Sequence, residues 1–393
     1  MLWAAVLALS LTTGAAALAQ EDEGRRPAAA RAVAEPPKPK VDPSKLVWPS
    51  PPDIARIKWL AQVSSQDDLV PPAKKEKKKR SWMDRLAGIS LPGEVEKKAL
   101  ALSKPFGVAA DSKGRIYVAD IGVRQVFVFD LEKKTTEFLP GPFVSPIGVA
   151  VDDADRVFVV DSRLRQITAY SPKWEVEGTF GTDHLKRPVS AAVDNENRFL
   201  YVVDVDASRL AVFDADKFTF LRYLGQPSDP LNPEPGTFSK PLGVAVDADG
   251  NVYVTDTMND RVQIFDPDGN FIQMFGKQGV LPGMFMRAKG IAVDVDGHVY
   301  VTDSDFNNVQ VLDREGRPLG VFGSRGTEPG QFSLVTGIYV DSLNRILVAD
   351  QWRARVQVFG YVTDAEAAAQ LKARGQTPPA AAIRPERNSA PPQ

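Results

Sequence analysis

Apolar residues in the middle of this chain come in short bursts. Between Gly243 and Gly279 the sequence GVAVDADGNVYVTDTMNDRVQIFDPDGNFIQMFGKQG holds four of them: GVAVD, NVYVTD, RVQIF and FIQMFG. Turns rich in Asp, Gly and Asn separate them, so the stretch predicts four short β-strands joined by hairpins. The apolar positions do not confine themselves to alternate residues. Val262 and Ile264 stand beside Phe265, and Val118 beside Tyr117. A strand that is apolar on both faces belongs in a sheet sandwiched between others.

The same unit recurs from Lys104 to Tyr361. The first strand appears as GVAAD (Gly107–Asp111), GVAVD (Gly148–Asp152), SAAVD (Ser190–Asp194), GVAVD (Gly243–Asp247), GIAVD (Gly290–Asp294) and GIYVD (Gly337–Asp341). The second closes at Asp120, Asp161, Asp204, Asp256, Asp303 and Asp350, spaced 41, 43, 52, 47 and 47 residues apart. The third follows as QVFVFD, QITAYS, LAVFDA, VQIFD, VQVLD and VQVFG. Four short strands at such a period predict an all-β, six-bladed propeller, one four-stranded antiparallel sheet per blade.

The sixth unit stops after its third strand. Thr363-x-x-Glu366 then opens an Ala-rich segment with a capping box, which predicts a short helix over 362–375. The Pro/Ala-rich tail 376–393 predicts disorder. The missing strand is therefore sought at the other end, where Ile54–Val63 has the aromatic-ended character of the fourth strands. We expect 53–63 to complete the sixth blade beside Val356–Phe359 and so remove a free sheet edge.

The pattern P-x-G-[VI]-A-V-D-x-D-G-N-[VI]-Y-V-[AT]-D, then V-Q-V-F-D and F-G, stands at Pro241–Gly276. Pro282-Gly283-Met284-Phe285 and Pro329-Gly330-Gln331-Phe332 link the units. This resembles the NHL repeat, across about two-thirds of the chain. The resemblance implies a six-bladed propeller of the bacterial secreted kind. It implies no single activity, since similar propellers include protein- and RNA-binding modules, sensor domains, lyases and lactonases. Repeat three departs from the pattern: Ser190 replaces the first glycine, and Phe199-Leu200 adds a residue before the second strand.

Composition narrows the classes. The net charge of -2 carries no basic stripe for nucleic acid. There is no cysteine, which removes disulfides, thiolate metal sites and a cysteine nucleophile. His184 and His298 are the only histidines, too few for a three-histidine metal centre. Residues 1–19 read as a signal peptide, with an apolar run and an Ala17-Leu18-Ala19 cleavage pattern, although no Lys or Arg precedes the run. A retained membrane anchor is the alternative. Cleavage places the protein in the periplasm or outside the cell. Residues 20–52, rich in Pro, Ala and charge, predict a disordered tether. Residues 64–103 form an insertion with the basic run Lys74–Arg80, then Ser81–Ile89 as a short amphipathic helix. The run reads as a solvated loop, or as a peripheral contact with an anionic membrane. Charge is uneven: Lys104–Tyr361 holds 27 basic and 35 acidic residues, Gln20–Ser103 17 and 12.

The candidate chemistry lies mostly in departures from the repeat. Asp247-x-Asp249-Gly250-Asn251 and Asp294-x-Asp296-Gly297-His298 look like calcium-loop fragments, but glycine comes at the fourth place instead of the sixth. Both read as hairpin turns. The second-strand aspartates are followed by Arg124, Arg165, Arg209, Arg261, Asn308 and Arg355, which we read as equivalent scaffold partners. The loops between second and third strands gather at one end of the channel. Their non-consensus members are Arg163, Met258, Asn259, Phe306, Asn307, Trp352 and Arg353. Aromatic and Arg residues dominate binding hot spots, so these seven are the expected partner-binding set. Packing of Trp352 and Phe306 between blades is the competing reading. His184, with Asp161 or Asp204, is a weak candidate metal or base site. The leading expectation is a monomeric, cofactor-free propeller binding a protein or peptide in the cell envelope. The rival is a lyase- or lactonase-type enzyme using a divalent metal at the channel mouth.

Overall fold

The computed structural model describes residues 42–50, 53–69 and 100–363, together with residues 366, 367, 369 and 372. The expected signal peptide, the basic run Lys74–Arg80, the helix at Ser81–Ile89 and the tail 376–393 lie outside the described residues. The remainder is an all-β six-bladed propeller. Blade four shows the common plan: Val244–Val246, Val252–Asp256, Arg261–Phe265 and Phe271–Phe275, each antiparallel to the next. The two middle strands are buried throughout in this blade, and the outer strand is half exposed. That gradient is why the middle strands are apolar on both faces.

The first strands surround the axis, where blades come closest. A Cβ placed on Gly107 would lie 2.6 Å from the Ile147 carbonyl oxygen and 2.9 Å from the Gly148 Cα. Cβ atoms on Gly243, Gly290 and Gly337 would collide with the carbonyls of Lys289, Thr336 and Phe106. The glycine that opens the first strand in five of the six blades thus meets the backbone of the next blade, and the last such contact joins blade six to blade one. Threonine side chains add staples across the same seams. Thr255 Oγ1 donates to the Lys289 carbonyl at 2.7 Å, and Thr302 Oγ1 to that of Thr336 at 2.8 Å.

The sixth blade closes as expected. Ile57–Val63 pairs antiparallel with Arg355–Tyr361, with Trp59 opposite Phe359 and Val63 opposite Val356. The Trp59 indole N–H donates to Gln357 Oε1 at 3.0 Å. One feature was not expected. Val47–Trp48, within the stretch whose composition reads as a tether, pairs with Ile57 and Lys58 and makes this sheet five-stranded. Trp48 packs on Phe359 and Phe322, ring centroids 5.7 and 6.2 Å away. The apolar triplet Leu46-Val47-Trp48 supplies burial that averaging over the Pro/Ala-rich segment conceals. At the other end the capping box forms: Thr363 N–H donates to Glu366 Oε2 at 3.1 Å and Glu366 N–H to Thr363 Oγ1 at 3.3 Å.

Candidate functional site

Buried carboxylates shape the loops. Asp161, at the end of a second strand, accepts N–H bonds from Val144 (2.8 Å), Ser145 (3.0 Å), Arg163 (3.0 Å) and Leu164 (3.0 Å). It ties the incoming linker to its own loop. Asp120, Asp204 and Asp303 do the same, through the pairs Lys104 and Gly122, Arg187 and Ala207, and Met286 and Asp305. The residue before each third strand takes a left-handed conformation: Arg124, Arg165, Ser208, Asp260, Asn307 and Ala354, with φ between 48° and 57°. This corrects the expected equivalence of the arginines. Arg124 and Arg165 occupy that turn position. Arg209, Arg261 and Arg355 sit one residue later and point inward. Arg261 and Arg355 pair with Asp256 (2.9 Å) and Asp350 (3.2 Å), whereas the Arg209 guanidinium lies 3.4 Å from the Tyr223 ring centroid.

At the opposite end, the first-strand aspartates hold hairpins. Asp247 accepts from Asp249 N–H (2.9 Å), Asn251 N–H (2.9 Å), Asn251 Nδ2 (3.1 Å) and Tyr253 Oη (3.0 Å). Gly250 has φ 83° and completes the turn. His298 takes the place of Asn251, its Nδ1 2.8 Å from Asp294 Oδ2.

Blades four to six share a further device. Gln263, Gln310 and Gln357 each accept from a linker glycine, Gly236 (2.9 Å), Gly283 (2.9 Å) and Gly330 (2.8 Å). Each also donates at 2.7 Å to the carbonyl of the next residue, Thr237, Met284 or Gln331. The following phenylalanines, Phe238, Phe285 and Phe332, are fully buried. The Pro-Gly-x-Phe linkers are therefore clamped to their own blades. Phe127, Thr168 and Ala211 occupy the glutamine's place in blades one to three.

Both ends hold ion pairs, Lys240–Asp206 (2.9 Å) and Arg287–Asp305 (3.5 Å) among them on the end carrying the two-three loops. On the hairpin end, Arg115, Arg156, Arg198, Arg317 and Arg345 pair with carboxylates at 2.5–2.9 Å, and Arg314 pairs with Asp249 at 2.8 Å. On the end carrying the two-three loops, Arg124, Arg163, Arg165 and Arg353 are exposed and form no ion pair among the described residues. Trp352 is 77% exposed beside Arg353, and Met258 is 61% exposed. Of the expected set, Asn259 is spent on Asp256 at 2.8 Å, Asn307 is buried in the left-handed turn, and Phe306 is half-buried. Sequence reasoning missed Leu231, Val280 and Leu281, exposed on linkers of the same end. Their signal was an apolar residue in a Gly/Pro-rich loop.

His184 does not join Asp161 and Asp204 as a metal set. Its ring stacks on Phe220, centroids 3.9 Å apart, and both carboxylates are committed to backbone amides. No group of three or more His, Cys, Asp or Glu side chains suited to a metal occurs among the described residues.

The first strands wall a central cavity of about 200 Å³, lined mainly by Val, Ala, Ile and Gly. Among the described residues Lys289 is the one charged side chain in that wall. Burial holds its ammonium below the usual lysine value, and repulsion from Arg287 adds to this against the attraction of Asp305 and Asp303. Nearby, burial raises the Asp260 carboxyl to about 6, with repulsion from Asp303 and Asp305 adding to the shift.

The chain carries NHL repeats: the family model of that description matches residues 238–265, 285–312 and 332–359. Those are the three blades with the glutamine clamp. Protein brain tumor of Drosophila melanogaster is 50% identical over 44 residues, 11% of this chain and 4% of that protein. The chain thus spans a small fraction of that relative's length. Among solved structures, a protein of unknown function from Bacteroides thetaiotaomicron aligns with TM-score 0.55 and 18% identity over 66% of this chain and 70% of its own. A gluconolactonase from Xanthomonas campestris aligns with TM-score 0.51 and 16% identity, over 67% and 89%. At these identities the likeness concerns the fold alone.

Proposed function

We propose that this propeller is an exported, monomeric binding module of the cell envelope that engages an acidic segment of a protein partner. It does so through the end bearing the two-three loops. The observation that carries this reading is a set of exposed arginines without ion pairs on that end. Arg124, Arg163, Arg165 and Arg353 are exposed without an ion pair among the described residues, on the end that also exposes Met258 and, next to Arg353 in the chain, Trp352. Unpaired arginines beside an exposed indole offer charge complementarity and a hot-spot anchor together.

The enzyme reading needs converging acids, bases or metal ligands at the channel, and its wall is mainly aliphatic, with Phe106, Tyr339, Lys289 and a few small polar residues. The aliphatic wall therefore favours binding over hydrolysis or elimination. The test is fluorescence anisotropy with a labelled Asp/Glu-rich peptide. The double variant Trp352→Ala, Arg353→Ala and the pair Arg163→Ala, Arg165→Ala should each weaken binding about tenfold or more, as loss of hot-spot residues does. Their melting temperatures should match the wild type, since the side chains are exposed. Wild-type affinity in both variants would overturn the assignment.

A further inference from the structure

Lys289 precedes the ring glycine of blade five. The corresponding residues in the other blades are Phe106, Ile147, Val189, Leu242 and Thr336. The ring glycine itself is replaced once, by Ser190 in blade three. These two departures from the repeat line the same cavity, and Ala288 pairs with Asp303 at the end where the two-three loops lie. Lys289 follows Ala288 directly, so it sits at the channel mouth on the arginine-bearing side. Neither the Lys289 ammonium nor the Ser190 hydroxyl has a hydrogen-bond or ion-pair partner among the described residues. Asp305 and Asp303 attract the ammonium without forming an ion pair with it, so a ligand carboxylate at the mouth would give Lys289 a direct partner.

We propose that the channel mouth is a carboxylate-binding site, in which Lys289 takes the charge and Ser190 donates a hydrogen bond. One ammonium matches a monoanion. The cavity's 200 Å³ equals about seven liquid water volumes, room for a carboxyl group and a few carbons. The occupant is either the acidic side chain of a docked partner or a free short-chain carboxylate. The first source rests on the binding reading above; the second does not.

Two probes separate them: propionate, followed by saturation-transfer NMR, and an Asp/Glu nonapeptide, followed by calorimetry, each with the full chain. Lys289→Leu and Ser190→Gly place residues that equivalent positions carry in other blades, so both variants should fold. Lys289→Leu should weaken whichever probe binds by on the order of 30-fold or more, the loss expected on truncating one partner of a desolvated charge pair. Ser190→Gly should weaken it by about fivefold, as for one neutral hydrogen bond. Propionate binding lost in Lys289→Leu, with no peptide binding at all, supports the site and defeats the partner reading. Peptide binding sensitive to Trp352→Ala but indifferent to Lys289→Leu overturns the site and leaves the partner reading standing. Propionate binding equal in wild type and Lys289→Leu, or absent from both while peptide binding is indifferent to Lys289, also overturns it.

Discussion

Two glycine-to-alanine substitutions in first and fourth strands should move stability in opposite directions. At Gly107 the added methyl would lie 2.6 Å from the Ile147 oxygen, 2.9 Å from the Gly148 Cα and 3.1 Å from the Val149 nitrogen. All three are backbone atoms of the next blade, so no side chain can swing away. Ordinary contact begins near about 3.4 Å, and restoring it requires neighbouring strands to part by about 0.8 Å inside a closed ring. Overpacking of this kind costs about 1–3 kcal/mol, occasionally more. At Gly320, on the outer strand Pro318–Phe322, the methyl meets nothing within 4 Å and the backbone is not left-handed. There the substitution only removes unfolded-state freedom and should stabilise by about 0.4–1 kcal/mol. Each kcal/mol shifts the melting temperature of a domain this large by about 2–4 °C. Gly107→Ala should therefore melt several degrees below wild type and Gly320→Ala slightly above, by differential scanning calorimetry with urea titration as a check. Equal melting of the two variants, or a larger loss at Gly320, would refute the ring-packing argument.

Three other outcomes are expected. Gln263→Leu leaves the Gly236 N–H and Thr237 carbonyl without their clamp, so urea unfolding should show a loss of about 2–4 kcal/mol, while Gln273→Leu on the outer strand should cost less. Asp260 has its folded value raised to about 6 from the ordinary carboxylate range, so the native state binds the extra proton. Stability should fall as pH rises from about 4 to 6 and level off above; Asp260→Asn, which tolerates the left-handed turn, should flatten that slope in a series of urea midpoints. A chain starting at residue 100 lacks Ile57–Val63 and exposes the edge of Arg355–Tyr361. It should aggregate on sizing chromatography and be rescued by a peptide spanning residues 42–69.

The scaffold was legible because each repeated letter has a local cause. The Asp ending a second strand binds linker amides, the Asp-Gly pair makes a hairpin, and the glycine opening a first strand meets the next blade's carbonyl. Closure by Ile57–Val63 was legible too, since a unit lacking its last strand must find one elsewhere. The arginine register was not. Arg124 and Arg261 differ by one position, and that one residue separates an exposed left-handed turn from a buried strand start. Asn259 and Asn307 read as departures, but short amides also serve turns and aspartates, and the fold uses them there. Lys289 was overlooked because it sits just before the motif that anchors the alignment, although a lysine among Phe, Ile, Val, Leu and Thr was visible at that place.

The strand that closes the ring is synthesised before the blades, and the strand it pairs with is the last of the propeller to be made. Trp59 and Gln357 are 298 residues apart, and joining such ends in a flexible chain costs about 5 kcal/mol of loop entropy. Blades that have already formed reduce that cost by bringing the ends together, so the seam should knit only after five blades stand. At about 5–20 residues per second, Ile57–Val63 waits on the order of 15–60 s for its partner strand to be made. For that interval the apolar strand bearing Trp59 lacks its Arg355–Tyr361 neighbour. A protein delivered across a membrane N-terminus first would meet its new compartment with that strand exposed, and the order of emergence makes a holding chaperone most useful at this end of the chain.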